Sequence, residues 1–95
     1  MNLLLTGCFN YSEEQIRILE SLGYTIYFQQ QETEPLSIPQ EDIEVVVCNG
    51  LFLSHDIEQF SCLKYIQLTS AGFDRVPMDR ISERGIKIHN ARGVY

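Results

Sequence analysis

The sequence predicts an α/β fold in which an open parallel sheet of about five strands carries helices on both faces. Short β-branched or aliphatic runs recur along the chain, separated by loops or by segments with helix signals. Strands that alternate with helices at this spacing form parallel sheets through right-handed crossovers. The chain has 95 residues, of which 44% are hydrophobic, and this length leaves room for one core. We therefore expect a single domain.

Five segments have the composition of strands, and their expected order in the sheet is flavodoxin-like. The first, residues 3–5, is aliphatic and ends at Thr6-Gly7, which suits a strand buried on both faces. Between the second and third strands, the polar residues 29–42 have neither strand nor helix periodicity and predict a loop with room for a short helical turn. The four later strands are β-branched or aromatic and cover residues 24–28, 43–48, 64–68 and 86–89.

Capping signals mark the boundaries of three predicted helices. Ser12 and Gln15 have the spacing of a capping box, and Gly23 can adopt the left-handed conformation that ends a helix. The second helix is expected to begin at Ser54, where acidic residues follow near the positive end of the helix dipole. The third is expected over residues 77–84, with a proline at its first position.

Charge and composition argue against several classes of protein. The formal net charge is −6, and residues 1–63 contain a single basic side chain, Arg17, which disfavours nucleic-acid binding. There is no apolar run long enough for a membrane span and no signal peptide, so we expect a cytoplasmic protein. The cysteines lack metal-binding spacing and predict reduced thiols and no metal site: Cys8, Cys48 and Cys62.

The loops after the predicted strands are the candidate binding segments. In open α/β sheets, ligands bind beyond the carboxyl ends of the strands, here at residues 6–8, 48–51 and 70–72. Gly50 and Gly72 carry no side chain that would keep a ligand from the backbone, and successive N–H groups can hold a carboxylate or a phosphate. The same glycines also suit ordinary turns, and their spacing does not separate the two interpretations.

Residues 63–77 and 83–94 resemble the D-isomer-specific 2-hydroxyacid dehydrogenases. They join a Ser-Ala-Gly-Phe-Asp loop, a helix begun by proline, an Arg-Gly-Ile approach to a strand and an Asn-Ala-Arg-Gly hinge, in the order of that family. The resemblance implies a substrate-side domain of the formate/glycerate dehydrogenase type, phosphoglycerate dehydrogenase-like and incomplete here. It implies that residues 1–90 form this domain and that residues 91–95 begin the hinge to a nucleotide-binding domain.

The resemblance also implies an activity and a set of substrate-binding residues. Members transfer hydride between NAD or NADP and C2 of a 2-hydroxy or 2-oxo acid. Their catalytic Arg, Glu and His follow the hinge, so none is assigned here. This chain alone is expected to be inactive and, lacking a Gly-x-Gly-x-x-Gly fingerprint, to bind no cofactor. Exposed apolar surface on such a fragment predicts a homodimer. The implied substrate-binding residues are Asn49, Gly50, Ser70, Ala71 and Gly72.

The same residues disfavour other proteins that share this type of sheet. A signalling receiver needs an acidic pair after the first strand and an Asp after the third, and both are absent. A flavodoxin needs a hydroxyl-rich phosphate loop after the first strand, and the residues after Thr6-Gly7 lack one. His55, His89 and Arg92 are expected to be structural or surface residues. The open alternative is a non-catalytic binding protein of the same fold, such as the C-terminal-binding protein corepressors. The sequence does not distinguish which 2-hydroxy acid is the substrate or whether NAD or NADP is the preferred cofactor.

Overall fold

The computed structural model describes residues 1–7, 11–69 and 76–90. Within them, five strands form one parallel sheet. Short 3-10 turns lie at Gln40–Asp42 and Ile57–Gln59. In chain order the strands and helices are β1 (Asn2–Thr6), α1 (Glu13–Ser21), β2 (Thr25–Gln29), β3 (Val45–Cys48), α2 (Leu51–Ser54), β4 (Tyr65–Leu68), α3 (Met78–Glu83) and β5 (Lys87–His89).

The sheet order is β2-β1-β3-β4-β5, which confirms the predicted α/β fold and its flavodoxin-like order. The chain moves outward from β1 to the edge strand β2, and then returns across β1 to β3. Crossovers that leave neighbouring strands in opposite directions open a crevice at the carboxyl ends of those strands. The topology therefore places the candidate site where β1 and β3 end.

The main core lies on one face of the sheet. Leu4, Val46 and Ile66 pair in register across three neighbouring strands, and all three are completely buried. Phe60 and Ile81, which follow β3 and β4 in sequence, belong to the same buried cluster. Burying each large apolar side chain contributes roughly 1.5–3 kcal/mol, so this cluster anchors the crossovers to the sheet.

The predicted capping box of α1 is present. The Gln15 N–H donates to Ser12 Oγ at 3.1 Å, and the Ser12 N–H donates to Gln15 Oε1 at 2.9 Å. Gly23 ends this segment with φ at 98°, the left-handed conformation expected of it. No residue of α1 is buried, and Ile18 is 53% exposed. Local capping thus defines α1, while the described part of the chain leaves the side chains of this helix partly exposed to solvent.

The helix after β3 begins earlier than the sequence predicts. It starts at Leu51, directly after the Asn49-Gly50 turn, and Ser54 is its last residue rather than its first. The completely buried side chain of Leu51 supplies a packing reason for the early start. The capping role expected of Ser54 belongs to Asp56, whose carboxylate accepts the N–H of Glu58 at 2.9 Å.

Candidate functional site

The carboxyl edge of the sheet is described at the ends of β1 and β3. Thr6 and Gly7 lie at the end of β1, and the Asn49-Gly50 turn follows the end of β3. The predicted substrate residues of the β4 loop fall outside the described residues: Ser70, Ala71 and Gly72. The structure therefore describes the part of the candidate site that follows β3, and not the loop that follows β4.

The Asn49-Gly50 turn binds a carboxylate that belongs to the chain itself. The N–H of Asn49 donates to Oε2 of Glu32 at 2.8 Å, and the N–H of Gly50 donates to Oε1 at 2.8 Å. Two consecutive backbone N–H groups thus contact the two oxygens of one carboxylate. Hydrogen bonds to an ionised acceptor are about twice as strong as neutral ones. In the structure these two N–H groups hold the carboxylate of Glu32, and their binding of a substrate carboxylate stays a prediction.

Two more contacts hold Glu32 in place. Oγ1 of the completely buried Thr6 lies 2.8 Å from Oε2 of Glu32 and 3.2 Å from the Val47 carbonyl oxygen. Nε2 of His55 lies 2.8 Å from the Glu32 carbonyl oxygen, and because a carbonyl only accepts, Nε2 carries the hydrogen. Glu32 therefore joins the end of β1, the end of β3 and the residue that follows α2.

Gly7 permits a close approach between the end of β1 and the segment that carries Glu32. Its N–H donates to the Gln29 carbonyl oxygen at 3.0 Å, extending the β1–β2 pairing by one residue. A Cβ atom added at Gly7 would collide with the Gln30 backbone. A glycine is required here because the backbone of Gln30 fills the space of a side chain.

Sequence reasoning did not identify Glu32. It belongs to the polar segment 29–42, where several carboxylates occur without periodicity. The only signal was indirect, since the Asn49-Gly50 turn was expected to bind an anion. A spacing of 17 residues between Glu32 and Asn49 does not reveal which acid reaches the turn.

A second polar cluster lies on β4 and β5. The Tyr65 hydroxyl lies 3.0 Å from Oε1 of Gln67 and 2.8 Å from Nδ1 of His89. Nε2 of Gln67 donates to the Leu68 carbonyl oxygen at 3.0 Å. His89 thus has a hydrogen-bond partner, and so does His55 at the other cluster. Both imidazoles are thus held by contacts within the chain, and their structural roles stay predictions.

The pKa shifts in the described residues belong to exposed ion pairs outside the Glu32 contacts. The Lys64 ammonium, 3.2 Å from Glu44, and then the Asn2 N–H lower the pKa of the Glu44 carboxyl. The Arg80 guanidinium likewise lowers the pKa of Glu58, at 2.9 Å. In the part of the chain that the structure describes, no cluster of His, Cys, Asp and Glu has the arrangement of a metal site. Nor does any described helix have the length and apolarity of a membrane span.

The family comparison covers almost the whole chain. Residues 3–95 match the model of the D-isomer specific 2-hydroxyacid dehydrogenase, catalytic domain. The chain belongs to this family. The sequence-based resemblance is thereby confirmed, and it extends over the N-terminal strands as well as over the C-terminal motifs. A comparison with curated proteins finds no match.

Two solved structures share the fold of this domain. The apo-structure of D-lactate dehydrogenase from Escherichia coli has a TM-score of 0.60 and 23% identity, over 95% of this chain and 30% of that one. The phosphoglycerate dehydrogenase from Lactobacillus plantarum has a TM-score of 0.64 and 22% identity, over 93% of this chain and 28% of that one. The chain therefore spans less than a third of the length of either structure.

Proposed function

We propose that this chain is the substrate-side part of an enzyme that transfers hydride between NAD or NADP and C2 of a 2-hydroxy or 2-oxo acid. The family match over residues 3–95 carries the proposal. The chain's share is to bind and orient the acid at the carboxyl edge of the sheet. The residues proposed for this are Asn49, Gly50, Ser70, Ala71 and Gly72.

The β3 side of the site supports a binding role. The loop follows a strand buried in the sheet, and the completely buried Leu51 anchors it from the other side. Leu53, two residues further on, is 67% exposed and offers apolar surface next to the turn. A rigid backbone with a neighbouring apolar side chain is suited to a small acid that has one polar and one apolar end.

The chain's own residues do not fit a dinucleotide. The sequence has no Gly-x-Gly-x-x-Gly, and the start of the loop after β1, where a nucleotide phosphate binds in related topologies, is approached by the backbone of Gln30 at Gly7. We therefore assign the cofactor to a separate nucleotide-binding domain of a longer protein, together with the Arg, Glu and His of the reaction. No step of the chemistry is assigned to residues of this chain.

The test is to sequence the coding region that surrounds this chain and to assay the complete protein. We expect a strand followed by Gly-x-Gly-x-x-Gly and an acidic residue, and then an Arg, a Glu and a His. The complete protein should oxidise NADH or NADPH in the presence of a 2-oxo acid, and a series from glyoxylate to larger acids should identify the preferred side chain. The product should be the D isomer.

Two results would contradict the proposal. If the complete protein lacks those residues, or has them and reduces no 2-oxo acid with either cofactor, the enzyme assignment fails. A protein that binds ligands or partners without turnover would then match the alternative of a non-catalytic relative. The same preparation gives its oligomeric state by sedimentation, where we propose a homodimer.

A further inference from the structure

We propose that Glu32 is a positioning residue for the substrate site, which sets the place of the Asn49-Gly50 turn without itself contacting the acid. The inference rests on the proposed function, because it assumes that this turn lines the substrate cleft. It concerns a residue in the polar segment between β2 and β3, outside the loops assigned to the substrate.

The backbone conformation of the turn does not require its glycine. Gly50 has φ at −115° and ψ at 20°, which other residues also adopt. A Cβ atom added there would have Leu53 Cδ1 at 3.5 Å and Glu32 Oε1 at 3.6 Å, both ordinary contacts. The place of the turn therefore depends on its contacts with other residues, and the buried side chain of Leu51 supplies one of them.

Glu32 provides further contacts that hold the turn. Its carboxylate accepts from both N–H groups of the turn and from the hydroxyl of Thr6 at the end of the neighbouring strand β1. Its own carbonyl oxygen accepts from His55, after α2. One residue thus contacts both ends of the segment 49–55 and the end of β1. Charge-assisted bonds to fixed donors confer geometric specificity as well as affinity.

The bonds to Glu32 limit how this turn can bind a substrate. Both N–H groups already donate to Glu32, so a substrate carboxylate could bind them only by displacing it. The rest of the carboxyl edge would then bind the substrate carboxylate, and the β3 loop would contribute shape. Glu32 should consequently affect substrate binding much more than the chemical step.

The test compares two single substitutions in the complete protein. Glu32→Gln keeps the size of the side chain but places an amide nitrogen against an N–H or hydroxyl donor. Glu34→Gln removes the same charge from an exposed position on the same segment and is the matched control. We expect Glu32→Gln to raise the KM for the 2-oxo acid about tenfold with little change in kcat. Glu34→Gln should change neither constant.

The direction of the change in KM distinguishes a positioning role of Glu32 from a merely structural role and from competition with the substrate. A merely structural role would reduce the folded fraction and lower kcat at unchanged KM, which would overturn the proposal. A lower KM would overturn it too, because Glu32 would then be competing with the substrate for the turn. If Glu32→Gln does not fold, Thr6→Val removes one of the same bonds and should raise KM about threefold, as expected for a single weaker contact.

Amide hydrogen exchange in the complete protein provides a readout that does not depend on activity. The peptide that covers residues 49–54 should exchange faster in Glu32→Gln than in the unaltered protein, while Glu34→Gln should leave it unchanged. Equal exchange in all three would overturn the positioning role. If the unaltered protein reduces no 2-oxo acid, the proposed function fails, and this exchange comparison alone decides whether Glu32 holds the turn.

Discussion

Two carboxylates lie at opposite ends of β3, and the protein holds them in different ways. Glu44, just before the strand, accepts from the Lys64 ammonium and from the Asn2 N–H. Glu32 accepts from the backbone N–H groups just after the strand. The Lys64 side chain is 64% exposed, so water screens its bond and forming it restricts a flexible chain. Glu32 thus accepts two short bonds from backbone N–H groups, whereas Glu44 accepts one longer backbone bond and one bond from an exposed, flexible side chain.

The largest expected effect is at the carboxyl edge. Glu32→Ala removes the carboxylate that accepts three hydrogen bonds. Two of these bonds come from the partly buried N–H groups of Asn49 and Gly50. We expect the free energy of unfolding, measured by urea denaturation of the complete protein, to fall by about 2–3 kcal/mol. Glu34→Ala on the same segment should change it by less than about 0.5 kcal/mol. Equal losses from the two substitutions would mean that the hydrogen bonds of Glu32 add no stability beyond that of an exposed carboxylate.

The next largest effect should come from Thr6→Val, which keeps the shape of the side chain and removes its hydroxyl. Because Thr6 is completely buried and contacts Glu32, we expect a loss of about 1 kcal/mol in the free energy of unfolding. The loss should shrink by about 0.5 kcal/mol or more when Glu32 is already alanine, since the partner is gone. Strictly additive losses in this double-mutant cycle would argue against a shared contact.

A smaller effect is expected from Gly50→Ala. The added methyl group meets no atom closer than 3.5 Å, and the backbone lies outside the left-handed region. We expect a change of at most about 0.5 kcal/mol in the free energy of unfolding. A loss above about 1.5 kcal/mol would mean that the turn depends on its glycine, and it would contradict the positioning role of Glu32.

The smallest effect should be at the amino edge, and it should depend on pH. Lys64 and Asn2 lower the pKa of Glu44 below its ordinary value of 4.5 in the folded protein. The stability that Glu44 contributes is therefore present above pH 4.5 and is lost as the pH falls through the lowered pKa. Thermal unfolding of Glu44→Gln should occur slightly below that of the unaltered protein at neutral pH, and the two should converge in acid. A difference that persists unchanged in acid, or in high salt, would exclude an ion-pair origin.

The sequence was a good guide wherever local chemistry decides the structure. The capping box at Ser12 and Gln15 formed as predicted, and Gly23 and Gly85 both end helices with positive φ. The parallel strands follow from apolar composition and from the handedness of crossovers, which act along short stretches of chain. These features made the α/β fold and its strand order predictable without a structure.

The sequence was a poorer guide wherever a contact between distant segments decides the outcome. The helix after β3 begins at Leu51 because that side chain is buried, whereas the composition pointed to Ser54. Glu32 reaches the Asn49-Gly50 turn from a segment without periodicity, and the position of that segment depends on the close approach at Gly7. The turn itself was identified from its glycine and its place at the end of a strand, but its partner was not.

The hydrogen bonds of Tyr65 determine which nitrogen of His89 carries a proton. Gln67 donates through its amide nitrogen, so its Oε1 is an acceptor and takes the single phenolic proton of Tyr65. Nδ1 of His89, which lies 2.8 Å from the Tyr65 oxygen, must then be the donor of its own bond. The neutral ring is the Nδ1–H tautomer, and its Nε2 carries the lone pair. The side chains of Tyr65 and His89 thus add a directional bond to the backbone pairing between β4 and the edge strand β5.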